Sequence, residues 1–274
     1  MVYLARLLAS EGHEVRCFAL GAEGAGTWDA PCAGDCCAGA DCAVLPMPVA
    51  AAPGILSAPG DGGTYDLHMI FDCVPKRIFL CGGRVDGETA SLAAAHGLRI
   101  RDYFAREEMT VGNAAATAEG ALELLIRETP FTLLDSRVLV LGFGRIGKLL
   151  ALRLRDMGAK VTVAARKGSD RAWARALGME DTDTAALTGK LGDFDVIVNT
   201  VPALLLTDTL LSETKRDVFI LDLASRPGGT DFAAAARLDR RAVWALGLPA
   251  ETAPQTAAKL MRESIFAMME EEHG

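Results

Sequence analysis

The chain has 274 residues, enough for one large domain or two ordinary ones, and its 50% hydrophobic content is too apolar for a disordered chain. Its 28 Lys and Arg stand against 36 Asp and Glu, a formal net charge of −8. That balance argues against a nucleic-acid binder, because phosphate neutralisation needs a basic face.

Residues 2–10 read as an amphipathic helix with Leu4, Leu7 and Leu8 on one face, ended by Gly12-His13, and 14–20 alternate like a strand. A loop rich in Gly, Ala and Cys is expected from Gly21 to Asp41, then a short strand at 42–45. The longest apolar run, Ala43 to Leu56, is broken by Pro46, Pro48 and Pro53, so no membrane span is expected. The opening Met1-Val2-Tyr3-Leu4-Ala5-Arg6 lacks the order of a signal peptide, and a cytoplasmic protein is the expectation. Further strands are expected at 77–81 and 98–103, with helices at 89–96 and 113–127. Pro130 marks the domain boundary, with 113–130 as a connecting helix between residues 1–112 and 131–250.

The second half alternates strands (137–141, 160–165, 195–199, 218–223, 242–245) with helices, which implies a parallel sheet covered on both faces. A last helix over 253–271, within a closing segment 251–274, carries Ala257, Leu260, Met261, Ile265 and Met268 as its apolar stripe. A shift of 146 positions lays Leu4, Ala5, Leu8, Gly12 and Val15 on Leu150, Ala151, Leu154, Gly158 and Val161. Two Rossmann-like units follow. Met1 then falls on Gly147, so about ten residues of strand and glycine turn are expected ahead of the first unit.

The cysteines are seven: Cys17, Cys32, Cys36, Cys37, Cys42, Cys73 and Cys81. An odd number without an export signal argues against a disulfide framework. Cys32-x3-Cys36-Cys37-x4-Cys42 lacks paired zinc knuckles and a nearby histidine, and reads as reduced thiols in a loop, with no metal site expected.

Gly142-Phe143-Gly144-Arg145-Ile146-Gly147 joins an apolar strand to a helix, the context that gives a G-x-G-x-x-G turn its meaning. The first glycine permits the turn, the second lets backbone approach a pyrophosphate, and the third allows helix and strand to pack closely. The next strand closes on Arg166-Lys167-Gly168-Ser169, with no acid before Asp170. A guanidinium forks onto a 2′-phosphate that a carboxylate would repel, which favours NADP over NAD. Asn199-Thr200-Val201-Pro202 and Ala224-Ser225-Arg226-Pro227-Gly228-Gly229-Thr230-Asp231 follow the carboxyl ends of two strands, where open α/β sheets bind ligands. Arg226 offers a cation to an anionic substrate, with Ser225 and the N–H groups of Gly228 and Gly229 expected to assist.

At these residues the sequence resembles the A subunits of the dipicolinate synthase family. The resemblance rests chiefly on Leu221 to Phe232, and extends to Val140–Gly147, Ala165-Arg166, Asn199–Pro202, Gly247–Ala250 and Ala253–Ala257. Weaker matches are Leu45–Pro48 and Asn113 through Thr117-Ala118-Glu119-Gly120, with Ala116 where the family often has proline. The resemblance implies two Rossmann-like domains with a cleft between them. It also implies NADP-dependent oxidation of a dihydro- or hydroxytetrahydro-dipicolinate from the lysine branch in sporulating bacteria, together with a smaller flavoprotein-like second subunit. Thr230, Asn113, Thr117 and Glu119 would then face the substrate, a small dicarboxylate, and an oligomer is expected. Two alternatives remain: an ordinary 2-hydroxyacid or amino-acid dehydrogenase, and a nucleotide-binding subunit without catalysis. The histidines 13, 68, 96 and 273 fall outside every motif.

Overall fold

Parallel strands need long crossovers, and the chain supplies them with helices in both of its compact units. The computed structural model describes residues 1–21 and 27–273; residues 22–26 of the expected 21–41 loop lie outside the described residues, and its remainder holds a short strand and a single helical turn where only loop was expected. One unit is Met1–Gly112 together with the segment from Pro254, and the other is Asn113–Ala253.

The first unit opens with α1 (Val2–Ser10) and β1 (Val15–Cys17), followed by β2 (Thr27–Asp29), α2 (Ala33–Cys37), β3 (Cys42–Val44), β4 (Ala50–Ala52), β5 (Ile55–Leu56) and α3 (Leu67–Cys73). It continues with β6 (Phe79–Gly82), α4 (Gly87–Ala95) and β7 (Ile100–Asp102), and enters α5 (Glu107–Glu128). β1 and β2 pair in parallel, β3-β6-β7 form a second parallel ladder, and β4 and β5 make an antiparallel hairpin. Leu67, Ile70, Phe71, Leu80 and Leu98 fill one core. Leu4 of α1, Tyr103 and Met109 meet Met261, Ile265 and Met268 of the last helix in another.

The second unit takes over α5 from Asn113. It holds β8 (Arg137–Leu141), α6 (Arg145–Asp156), β9 (Lys160–Ala164), α7 (Gly168–Ala176), β10 (Glu180–Thr182) and β11 (Val196–Asn199). After these come α8 (Asp208–Ser212), β12 (Phe219–Asp222), α9 (Phe232–Arg237), β13 (Arg241–Trp244) and α10 (Leu248–Thr252); α11 (Pro254–His273) belongs with the first unit. All six strands are parallel in the order β10-β9-β8-β11-β12-β13, the doubly wound Rossmann arrangement. Alternate residues serve opposite faces. Val138, Val140, Val161, Val163, Val196 and Val198 join Ala118, Ala121 and Leu125 of α5 on one side. Leu139, Leu141, Ile197 and Ile220 pack with Leu187, Leu206 and Leu211 on the other.

Two expectations need correcting. The connecting helix expected at 113–130 does join the two units but from Asn113 belongs to the second, its alanines and leucines being core there, and the closing helix packs with the first unit rather than standing apart. Glycine-capped α6 begins at Arg145, and α5 at Glu107 rather than Asn113.

The amino ends of three strands are tied by one carboxylate. Asp195 accepts from the Arg137 backbone N–H at 2.8 Å and from Lys215 Nζ at 2.6 Å, joining the starts of β8, β11 and the approach to β12. Burial alone would raise its pKa, but those two partners outweigh it and hold the group below its ordinary 3.8. A lowered folded-state pKa gives stability that is complete above the ordinary value and is lost as pH falls through the folded one. Asp195→Asn should therefore cost about 1 kcal/mol at neutral pH. In urea unfolding the gap from wild type should close as pH drops below the ordinary value; a gap independent of pH would contradict the assignment.

Candidate functional site

The strand order reverses between β8 and β11, and the crevice beyond the carboxyl ends at such a point is where open α/β sheets take ligands. Gly142 leaves β8 at φ +93°, and a Cβ there would stand 2.5 Å from Thr200 Oγ1. That hydroxyl donates to the Leu141 carbonyl at 2.8 Å, so it bridges the two strands. A Cβ on Gly147 would lie 2.3 Å from the Gly142 carbonyl oxygen, so α6 starts against the turn itself. By contrast, a methyl on Gly144 would meet nothing within 4 Å. Gly144 caps α6 without a side-chain hydrogen bond, and the first turn contains no acid. Free N–H groups, the positive end of the helix dipole and open space above a glycine fit a dinucleotide pyrophosphate. Lys148 Nζ lies 5.5 Å from the Phe143 ring, and Arg145 is exposed. Two residues of the motif serve packing instead: Phe143 is buried in the core, and Ile146 packs against it.

At the next strand end Arg166 and Lys167 are exposed, with Ser169 in the first turn of α7. Their backbone is fixed from behind by Arg171, whose Nη1 donates to the carbonyls of Ala165 (2.8 Å) and Arg166 (3.1 Å) and to Asp183 Oδ2 (2.5 Å). Local sequence carries no signal for this role, since Arg171 reads as one more charge on a helix.

The third strand end is organised around Asp222, which is completely buried. Its Oδ1 accepts from Asn199 Nδ2 and the Ala224 N–H, and its Oδ2 from the Gly229 N–H, all at 2.9 Å. Asn199 is equally buried: Nδ2 also donates to the Val201 carbonyl, and Oδ1 accepts from the Val201 N–H. Asn199, expected to touch cofactor, is thus a structural amide, because its polar atoms are consumed in holding the two loops together. Val201 is half-buried and Pro202 exposed beside it.

The glycines after Arg226 need the same correction. The Gly228 N–H donates to the Ser225 carbonyl and the Gly229 N–H to Asp222, so neither is available to a substrate carboxylate. Gly228 is held at φ +83°, where a side chain is strained, and Gly229 is glycine for want of space. A Cβ on Gly228 would lie 3.1 Å from Trp244, and one on Gly229 would lie 2.3 Å from Asn199 Nδ2. Trp244 donates from Nε1 to the Ala224 carbonyl at 2.8 Å, stacks on Phe232, and carries the Arg226 guanidinium 5.7 Å above its ring. Sequence reasoning missed Trp244, whose partners Ala224, Arg226 and Phe232 lie well upstream, beyond the reach of local pattern.

Arg226 and Ser225 are exposed, and among the described residues no carboxylate lies within ion-pairing distance of Arg226. Thr230 is buried and its hydroxyl makes no hydrogen bond, one short of what a buried hydroxyl ordinarily keeps. On α5, Asn113 is half-buried, while the Thr117 hydroxyl is turned back onto the Asn113 carbonyl at 2.7 Å. Glu119 faces solvent and pairs with Arg153 of α6 at 3.5 Å, so its carboxylate is engaged on the outer surface.

Parallel order, glycine turn and charged strand ends define a dehydrogenase-type domain for a nicotinamide dinucleotide. In agreement, residues 104–224 match the family model described as the D-isomer specific 2-hydroxyacid dehydrogenase NAD binding domain. The chain is 32% identical over 232 residues to the dipicolinate synthase A subunit of Bacillus subtilis (strain 168), covering 84% of this chain and 78% of that protein. Two solved structures are similar throughout. The dipicolinate synthase A subunit of Bacillus halodurans superposes with a TM-score of 0.86 at 26% identity, covering 97% of this chain and 92% of that one. Its counterpart from Bacillus subtilis gives 0.82 at 28%, covering 98% and 92%. The chain belongs to the family of dipicolinate synthase A subunits and is an oxidoreductase subunit of dehydrogenase type.

The Asp222 network predicts a stability effect. Asp222→Asn would replace an acceptor oxygen with an NH2 group facing N–H donors. It should cost about 3 kcal/mol or more in urea unfolding and weaken nicotinamide dinucleotide binding with it. A loss below about 1 kcal/mol, the value of an ordinary hydrogen bond, would show that the network is not required.

Proposed function

We propose that this protein forms pyridine-2,6-dicarboxylate by NADP-dependent oxidation of dihydrodipicolinate or its hydroxytetrahydro precursor. One observation carries the reading: Arg226 is an exposed cation with no acid partner among the described residues, held over Trp244 at the carboxyl end of β12. A guanidinium so placed forks onto a carboxylate, and the substrate has two. Ser225 adds a hydroxyl beside it, and Thr230 brings one that lacks a partner inside the protein. When bound, a nicotinamide supplies a two-electron hydride acceptor. Aromatisation of the ring makes the later proton loss easy, so the protein's work is chiefly orientation.

Preference for NADP rests on Arg166 and Lys167, exposed at the end of β9 with no acid between them and α7. The proposal extends to a place at the lysine branch in sporulation, and to an oligomer in which the partner is a smaller flavoprotein-like second subunit. The substrate reading is supported by the relatives' names together with the unpaired Arg226.

The test is dipicolinate formation from freshly generated dihydrodipicolinate with NADP, with and without the second subunit, followed by the pyridine absorbance. Arg226→Met should lower kcat/KM by about 10- to 100-fold, the value of one charge-assisted contact, while leaving dinucleotide affinity unchanged. Absence of product from wild type with its partner, or an unaltered kcat/KM in the variant, would overturn the reading. Arg166→Asp should weaken NADP by about 10-fold or more and leave NAD nearly unaffected. Equal effects on both would show that Arg166 does not read the 2′-phosphate.

A further inference from the structure

Five cysteines, dispersed in sequence, gather in the first unit. Cys17 ends β1, Cys32 caps α2, Cys36 and Cys37 close that helix, and Cys73 ends α3. Their closeness is felt electrostatically. Burial and then the neighbouring Cys37, Cys17 and Cys32 push the Cys36 thiol up to about 11, and Cys37 is raised by burial and by Cys73. The five are not equivalent. Cys17 and Cys37 are buried, and the Cys36 thiol donates to the Arg16 carbonyl at 3.4 Å. Cys32 and Cys73 are exposed.

Those two also share a space. A Cβ built on Gly34 would meet two atoms within 4 Å, Cys32 Sγ at 3.7 Å and Cys73 Sγ at 3.9 Å. The Cys32 thiol is held there by Asp35, accepting from its N–H at 3.5 Å and donating to its carboxylate at 3.2 Å. Among the described residues no three His, Cys, Asp or Glu side chains converge as metal ligands would, so the geometry is that of a pair and not a cage.

We propose that Cys32 and Cys73 are a redox-active dithiol that a hydroperoxide converts to a disulfide, fastening the start of α2 to the end of α3. One thiolate attacks a peroxide oxygen, the O–O bond breaks, and the departing oxygen takes a proton. The second thiolate then attacks the sulfenic sulfur, forming the S–S bond and expelling hydroxide, which leaves as water. Two electrons pass from the sulfurs to the peroxide, and the two thiol protons end on its oxygens. The inference is independent of the nicotinamide reading, because none of these residues belongs to the second unit.

The experiment treats the reduced full-length protein with one equivalent of hydrogen peroxide, blocks remaining thiols with N-ethylmaleimide, and maps peptides by mass spectrometry. The expected product has lost the mass of two hydrogens, carries a peptide crosslinked through Cys32 and Cys73, and reverts with dithiothreitol. Cys32→Ser and Cys73→Ser should each fold, abolish that crosslink, and leave the surviving exposed thiol as a sulfenic acid, which a second equivalent of peroxide carries to sulfinic acid. Closing so long a loop should raise the oxidised protein's Tm by about 5 °C or more. Full alkylation of Cys32 and Cys73 after peroxide would overturn the proposal. So would a crosslink confined to another pair, or a stoichiometric zinc ion in the purified protein that protects both thiols.

Discussion

The buried carboxylate of Asp222 is the contact on which the second unit's ligand-binding end depends. It is a polar group without exposure, and such a group is tolerable only when its oxygens are met by well-placed donors. Three donors arrive from three pieces of chain: the Asn199 amide from β11, the Ala224 N–H directly after β12, and the Gly229 N–H from the loop beyond. Because Asn199 in turn grips Val201, two successive strand-end loops are set by one side chain. The loop carrying Arg226 then leans on Trp244, which rises from the end of β13.

The opposite end of the same strands shows the logic in reverse. Asp195 binds the strand starts together while remaining partly open to water. A parallel sheet has two unlike ends. Glycine turns and helix amino termini cluster at the carboxyl end, where bare N–H groups and positive dipole ends attract anions. The order β10-β9-β8-β11-β12-β13 then places the reversal of winding at β8 and β11, with Gly142 and Thr200 on either side.

The central strands were legible in the sequence because residues buried on both faces leave unbroken apolar runs, as in Val138–Leu141 and Val196–Val198. The hairpin of β4 and β5 was not: one arm is three alanines, which carry no strand signature, and the turn at Pro53-Gly54 lay inside a stretch read as broken by prolines. Helices α2, α8 and α10 are single turns too short to show a period, and α2 lies in a segment whose glycines and alanines suggest a loop. α3, α7 and α9 also passed unread. In the site, the glycine turn and the exposed arginines could be read from local order alone. The destinations of the Gly228 and Gly229 N–H groups could not, since they depend on a carboxylate that sits within an apolar strand pattern. Glu119 likewise looked available until α6 brought Arg153 beside it.

Arg171 divides labour with its neighbours in a way that bears on how such proteins diversify. It grips the carbonyls of Ala165 and Arg166 while bonded to Asp183, so the turn's path does not rely on the side chains of Arg166 and Lys167. Those two positions are left chemically vacant of structural duty. On the proposed reading of the 2′-phosphate, exchanging them would alter the choice of coenzyme with the scaffold beneath indifferent to the change.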